Sequence, residues 1–133
     1  MTGKLSDLSE PTLPPHTVDA FHRGDFWLVQ PKKGGHRAGM DAMMLAAAVP
    51  SSFAGRLADF GAGAGAAGLA VASRCEGARV ELVELTSEMA AFAEATLAHG
   101  ANTRLRSRAA VLIADVSLSG KARAKAGLAD SSL

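Results

Sequence analysis

Three acids stand near the ends of three short apolar runs, and they carry most of the chemical promise of the chain. Asp59 lies in "GRLADF", Glu84 in "VELVEL" and Asp115 in "VLIADV". Between the first two, Gly61, Gly63, Gly65 and Gly68 alternate with alanine in "GAGAGAAG". Glycines directly after a strand let the backbone approach a ligand and take positive φ. The helix that follows a parallel strand points its N-terminus at the crevice beyond the strand ends. Together these residues read as a cradle for a nucleotide-like ligand, and two ligand chemistries fit it.

The first is a dinucleotide. Gly63-Ala64-Gly65-Ala66-Ala67-Gly68 matches G-x-G-x-x-G, and Glu84 follows Gly63 by 21 residues, where an acid would hold a ribose. The second is S-adenosylmethionine, with Asp59-x-Gly61-x-Gly63-x-Gly65 and the same Glu84. Asp59 separates them: a carboxylate repels a pyrophosphate but suits a cationic sulfonium and an amino group. Asp115 at a third strand end could accept from the exocyclic amine of an adenine. A dinucleotide fold also tends to open with its first strand, whereas here more than fifty residues precede it. These observations favour the methyl donor and leave NAD as an alternative. Plainer roles stay open for each residue: glycines that allow close helix–strand packing, Glu84 as a solvated strand end, Asp115 as a turn cap, and Asp59 bonded only to loop amides.

The elements that must position these residues alternate. Strands are predicted at 26–29, 55–60, 78–85 and 108–116, and helices at 40–49, 64–75, 86–100 and 120–129. Thr86 or Ser87 caps the third helix and Gly100 stops it. Strand–helix–strand–helix–strand from residue 55 predicts an α/β fold with a parallel sheet and right-handed crossovers. Residues 1–18 read as a flexible tail because Pro11, Pro14 and Pro15 stand among polar residues. Residues 19–50 form a cap segment, and 51–133 form the ligand-binding domain. Met40, Met43, Met44 and Leu45 are expected in the core.

Net charge is +1, too small for bulk attraction to nucleic acid. Its distribution is uneven. Residues 59–100 hold six acids against two bases, and 101–133 hold six bases against two acids. The basic segment is expected to be ordinary solvated surface, with a phosphate-binding face as the alternative. Cys75 is the single cysteine, so no disulfide within the chain and no metal site are expected. No apolar run approaches the roughly 18 residues of a membrane span, and a cytoplasmic setting is expected.

With "LADFGAGAGAAGLA", "VELVEL", "LIADV" and the upstream "QPKKGGHRAGMDAMMLAAAV" in hand, the chain resembles the front half of a class I S-adenosylmethionine-dependent methyltransferase. Within that group it is similar to the small methyltransferase domain family, and its upstream segment looks like the tRNA adenine branch. The resemblance covers roughly residues 26–130. It implies a partial Rossmann-like sheet, the first three strands with their helices, behind an N-terminal cap. It implies that Gly61, Gly63 and Gly65, with Asp59 and Ala62, line the methionine end of the cofactor. Glu84 and its neighbour Leu85 would hold the ribose side, and Asp115 with Val116 the adenine. Arg37, Gly39 and Asp41 would sit near the cofactor or the site mouth. Lys32, Lys33, His36 and Arg37 could also touch the phosphate of a substrate, which could be tRNA or ribosomal RNA, with an exposed basic loop as the alternative.

One departure stands against these matches. The family's Asn-Pro-Pro-aromatic motif, which positions the methyl acceptor, has no counterpart: the sole asparagine, Asn102, precedes Thr103. The expectation is therefore a truncated methyltransferase with a cofactor half, no catalytic residues of its own, and little turnover. A non-catalytic cofactor-binding or assembly fragment is the alternative. The first strand would then present an unpaired edge, and a homo-oligomer through that edge is expected.

Overall fold

The computed structural model describes residues 13–32, 37–117 and 120–125. Strands β1 (His16–Phe21) and β2 (Phe26–Pro31) form an antiparallel hairpin. Its turn is closed by Phe21 and Phe26, register partners whose rings stack at 5.5 Å. β1 begins inside the 1–18 segment expected to be a tail. Thr17, Asp19 and Phe21 alternate with the exposed His16, Val18 and Ala20, a two-residue period that the adjacent prolines obscure.

β2 is buried along most of its length, and side chains do part of a strand's work on it. The side-chain oxygen of Asn102 accepts from the Trp27 N–H at 2.9 Å, and its amide nitrogen donates to the carbonyls of Trp27 and Thr96, each at 2.7 Å. The Val29 N–H donates to Thr96 Oγ1 at 3.0 Å. Buried backbone groups must be paired, and here one amide imitates a neighbouring strand. Asn102 lies in a 3₁₀ segment over Gly100–Arg108 that the sequence reading left without structure.

Helix α1 (Met40–Ala47) packs through Ala42, Met43 and Ala46. Met43 joins the core as expected, but Met40, Met44 and Leu45 are 74%, 68% and 66% exposed. The inward stripe is filled by alanines, which let α1 approach helix α2 (Ala66–Arg74) closely and turn the longer side chains outward.

The main sheet is parallel in the order β3 (Gly55–Phe60), β4 (Ala78–Glu84), β5 (Ala109–Ile113). Asp59 lies opposite Leu82, and Glu84 opposite Ile113. Helix α2 and helix α3 (Ser87–Ala98) are the crossovers, and a short α4 (Gly120–Lys125) follows β5. The core joins Leu69, Ala70 and Val71 of α2 to Val80 and Leu82 of β4, and Phe26 and Leu28 of the hairpin complete it. Among the described residues β3 is a sheet edge, and Phe60 at its end is 44% exposed.

The clustered arginines have a specific place. Arg106 donates to the carbonyls of Leu97 (2.8 Å) and Ala98 (2.9 Å) at the end of α3. Arg108 donates to Ala72 and Ala78 at 3.0 Å and to Cys75 at 3.1 Å, around the end of α2. Arg104 reaches the Asp25 carbonyl. Arg74 closes α1 on the carbonyls of Ala46 (2.6 Å) and Val49 (2.8 Å). Helix C-termini leave carbonyls without partners and favour cations. The basic run is solvated surface in part, since Arg104, Arg106, Lys121 and Lys125 are exposed, but Arg106 and Arg108 also serve as caps at helix ends. Among the described residues no helix is long and apolar enough to cross a membrane.

Candidate cofactor site

β3 and β4 end side by side, and this parallel geometry brings Asp59, Glu84 and the glycine loop together. The loop leaves β3 with the amides of Gly61 and Ala62 both donating to the Val83 carbonyl, at 2.9 and 3.0 Å. Gly61, Gly63 and Gly65 then take φ of 73°, 57° and 106°, the left-handed region that favours glycine. A Cβ on Gly61 would meet nothing within 4 Å, so that part of the loop is open to a ligand. Gly68 is different. A Cβ there would fall 2.5 Å from a methyl of Leu82, 2.9 Å from Val80 and 3.1 Å from the Asp59 carboxylate. Its work is close packing of α2 on the sheet, the plain alternative weighed for all four glycines.

Asp59 bonds through Oδ2 to the Gly68 N–H at 2.9 Å. Gly65, at the N-cap of α2, has no side chain to satisfy the first amides of the helix. Asp59 supplies that acceptor from the strand below. Burial pushes its carboxyl above the ordinary range, the Gly68 bond opposes this, and the nearby Glu84 charge adds to it. Glu84 accepts from the Gly63 N–H at 3.1 Å with one oxygen and from the Thr86 N–H at 3.2 Å with the other. A carboxylate has about four acceptor positions, so each oxygen retains capacity for a ligand hydroxyl.

A cleft of about 70 Å³ opens at this point. Asp59, Ala62 and Gly63 line one side, Ala66 and Ala67 the start of α2, and Ala38 and Ala42 the opposite wall. Two larger hollows lie elsewhere. One of about 190 Å³ sits beside Arg56 and Arg79, and an apolar one of about 410 Å³ lies between Leu13, α3 and Ile113. Neither contains the loop or its acids. The small cleft has the better claim because it lies at the carboxyl ends of parallel strands, where this architecture binds ligands.

Asp115 stands just beyond β5 and turns back on Ser117. Its Oδ1 accepts from the Ser117 N–H at 2.9 Å and from the Ser117 hydroxyl at 2.6 Å. Those two bonds hold its carboxyl below the usual range. Leu85, Ile113 and Val116 leave large apolar side chains exposed around Glu84 and Asp115.

The upstream candidates are more scattered. Gly39 is the N-cap of α1, and Asp41 is exposed in its first turn. Arg37 does not line the cleft. It donates to Thr17 Oγ1 and the Pro31 carbonyl at 2.9 Å and pairs with Asp19 at 3.4 Å. Lys32 is exposed, and Lys33 and His36 lie outside the described residues. Ala38 and Ala42 were not expected at the site, and Gln30 was noted only within the upstream resemblance, not as a buried contact. Alanine carries no chemical signal, but a glutamine inside "FWLVQP" is a polar residue in an apolar strand and could have been singled out.

The loop fits an S-adenosylmethionine-type cofactor better than a dinucleotide, because Asp59 already places negative charge on the α2 N-terminus where a pyrophosphate would bind. Comparison with known proteins agrees. No curated protein matches the chain. It is similar to a solved structure described as "a predicted O-methyltransferase, protein Atu636 from Agrobacterium tumefaciens", with 52% identity and a TM-score of 0.61. The match covers 65% of this chain and 41% of that one, so the chain corresponds to less than half the length of that structure. The model of the methyltransferase small domain matches residues 35–123. The chain thus belongs to the methyltransferase small domain family.

Proposed function

We propose that this chain is the cofactor-binding part of an S-adenosylmethionine-dependent N-methyltransferase whose acceptor is a nucleic-acid or protein nitrogen, an adenine of tRNA first among them. The observation that carries the cofactor assignment is the bond from Gly68 to Asp59, which answers the positive end of α2 with a carboxylate. In this reading Gly61, Gly63 and Asp59 hold the methionine end, and Glu84 receives the ribose hydroxyls. Asp115 receives the adenine amine, while Leu85 and Val116 cover the ring. Bound S-adenosylmethionine supplies a methyl group already activated on its sulfonium. The residues of the chain hold and orient it, and alignment of donor and acceptor accounts for most of the acceleration in such transfers. Asn102 is buried in three hydrogen bonds and takes no part in acceptor positioning.

The nitrogen acceptor rests on the upstream segment around Gln30, Pro31, Arg37 and Asp41. An oxygen acceptor is the second reading, favoured by the description of the Agrobacterium structure. Methyl-labelled cofactor incubated with the protein and bulk tRNA separates them. Label recovered on an adenine amine after nuclease digestion supports the first. Because little turnover is expected of this chain, the position of the label decides rather than its amount, and label only on oxygen overturns the nitrogen assignment.

We also propose that copies assemble through the β3 edge, where Phe60 is exposed. An edge strand presents unpaired backbone to a second chain. Concentration-dependent growth in mass by light scattering is the expected result. A monomer at all concentrations contradicts it.

A further inference from the structure

The wall of the cofactor cleft is tied to the N-terminal hairpin by one buried side chain. Gln30 is 2% exposed, although it is a polar residue in the strand that supplies Phe26 and Leu28 to the core. Its amide is used at both ends. Nε2 donates to Asp19 Oδ2 at 2.8 Å, and Oε1 accepts from the Ala38 N–H at 2.8 Å. Ala38 lines the cleft opposite Asp59 and Gly63. It stands just before Gly39, an N-cap with no side chain to fix the start of α1.

Among the described residues, the other polar ties beside Ala38 are those of Arg37, whose side chain is 40% exposed, and Ala38 itself packs against the core. Exposed pairs of that kind hold weakly, because water competes for both partners. A buried amide has no such alternative, and breaking it leaves the Ala38 N–H without a partner. Packing on α2 holds Ala42 and the body of α1, and the backbone of Ala38 at its start is tied through Gln30.

The geometry points to Gln30 as a positioning residue for the cofactor: it fixes Ala38, and through it the start of α1, at the distance from the glycine loop that the methyl donor requires. This role rests on the cofactor reading proposed above. Gln30 touches no ligand in it. Asp19 is its necessary partner, because the carboxylate fixes which end of the amide faces Ala38.

The test uses calorimetric titration with S-adenosylmethionine, together with amide hydrogen exchange at Ala38. Gln30→Glu keeps an acceptor for Ala38 but sets two carboxylates against each other where Nε2 now donates to Asp19. Its dissociation constant is expected to rise about fivefold or more, with faster exchange at Ala38. Adding Asp19→Asn restores a donor–acceptor pair with the roles reversed, and affinity should return to within about twofold of the wild type. A merely structural glutamine would lower the unfolding temperature of Gln30→Glu while leaving the affinity of the folded protein and the Ala38 exchange unchanged, and that result overturns the proposal. Failure of the wild type to bind S-adenosylmethionine overturns the cofactor reading and this role with it. Wild-type binding combined with undiminished binding by Gln30→Glu overturns the role of Gln30 alone.

Discussion

The carboxylate of Asp59, at the end of β3, accepts a 2.9 Å hydrogen bond from the backbone N–H of Gly68, in the first turn of α2. The helix cannot cap itself, because its N-cap is Gly65. A strand residue does so instead, and the small size of Gly68 is what lets the two backbones come close enough. One contact thus links the packing of the crossover to the electrostatics of the cleft beside it.

Affinity for S-adenosylmethionine should fall as the solution is acidified. Burial and Glu84 raise the Asp59 carboxyl, so it takes up a proton at a higher pH than an exposed aspartate. A cation binds the ionised form better. Binding is therefore strongest above the raised pKa and weakens as pH falls through it. S-adenosylhomocysteine lacks the sulfonium charge and should show a shallower dependence. Parallel titrations over a pH series check this, and identical slopes for the two ligands would contradict it.

Gly68→Ala should cost about 1–3 kcal/mol, because the added methyl overlaps Leu82 and Val80 in a packed layer. Leu82→Ala alone opens a cavity in the core and should cost about 2–5 kcal/mol, but the double variant should cost less than the sum of the two, because the added methyl fills part of that cavity. Gly61→Asn should cost under about 1 kcal/mol, since its Cβ enters open space and asparagine tolerates positive φ. Denaturant unfolding of the variants measures these values.

Asn102→Ala should cost about 1–3 kcal/mol, because it removes a fully buried amide and leaves the part-buried Trp27 N–H and carbonyl without that partner. Asn102→Asp keeps the acceptor but loses both donated bonds and buries a charge, so it should be worse. The same unfolding measurement decides, and an Asn102→Ala variant as stable as the wild type would contradict the strand-mimic role.

Arg108→Ala should lower stability by about 1–3 kcal/mol through loss of three carbonyl partners. Its affinity for tRNA should stay unchanged, because the guanidinium is committed to the ends of α2 and the following turn. On the RNA acceptor proposed above, Lys32→Ala, an exposed position just after β2, should instead weaken RNA binding and reduce its salt dependence. Filter binding across a salt series separates the two outcomes.

The parallel strands, their crossovers and the Asp59–loop–Glu84 cluster were legible because period and chemistry coincide there: apolar runs end in acids, and glycines follow at once. The hairpin was not legible at β1. Its strand is short and half-exposed, and the side chains that complete its partner β2, Thr96 on Val29 and Asn102 on Trp27, lie 67 and 75 residues away and carry no local signal. The exposure of Met40, Met44 and Leu45 was missed for a related reason. A helix rich in Ala, Met and Leu can bury either stripe, and the approach to α2 selected the alanines. The arginine caps were invisible because a basic run looks alike whether it faces water, phosphate or helix ends. Asp115 proved to be a turn residue as it stands, which leaves its second oxygen for any adenine contact.

The most direct test of the cofactor assignment is calorimetric titration of the wild type and of Asp59→Asn with S-adenosylmethionine and with NAD. An asparagine can still accept from the Gly68 N–H, and it removes both the cost of burying a charge and the repulsion from Glu84. A raised folded-state pKa means that Asp59 contributes stability at low pH that is lost as pH rises through that pKa. The variant should therefore unfold at the same temperature or higher near neutral pH. The account predicts that the wild type prefers S-adenosylmethionine, and that Asp59→Asn loses about tenfold or more of that affinity, a change of about 1.4 kcal/mol. Preference of the wild type for NAD, or equal affinity of wild type and variant for S-adenosylmethionine, would contradict it.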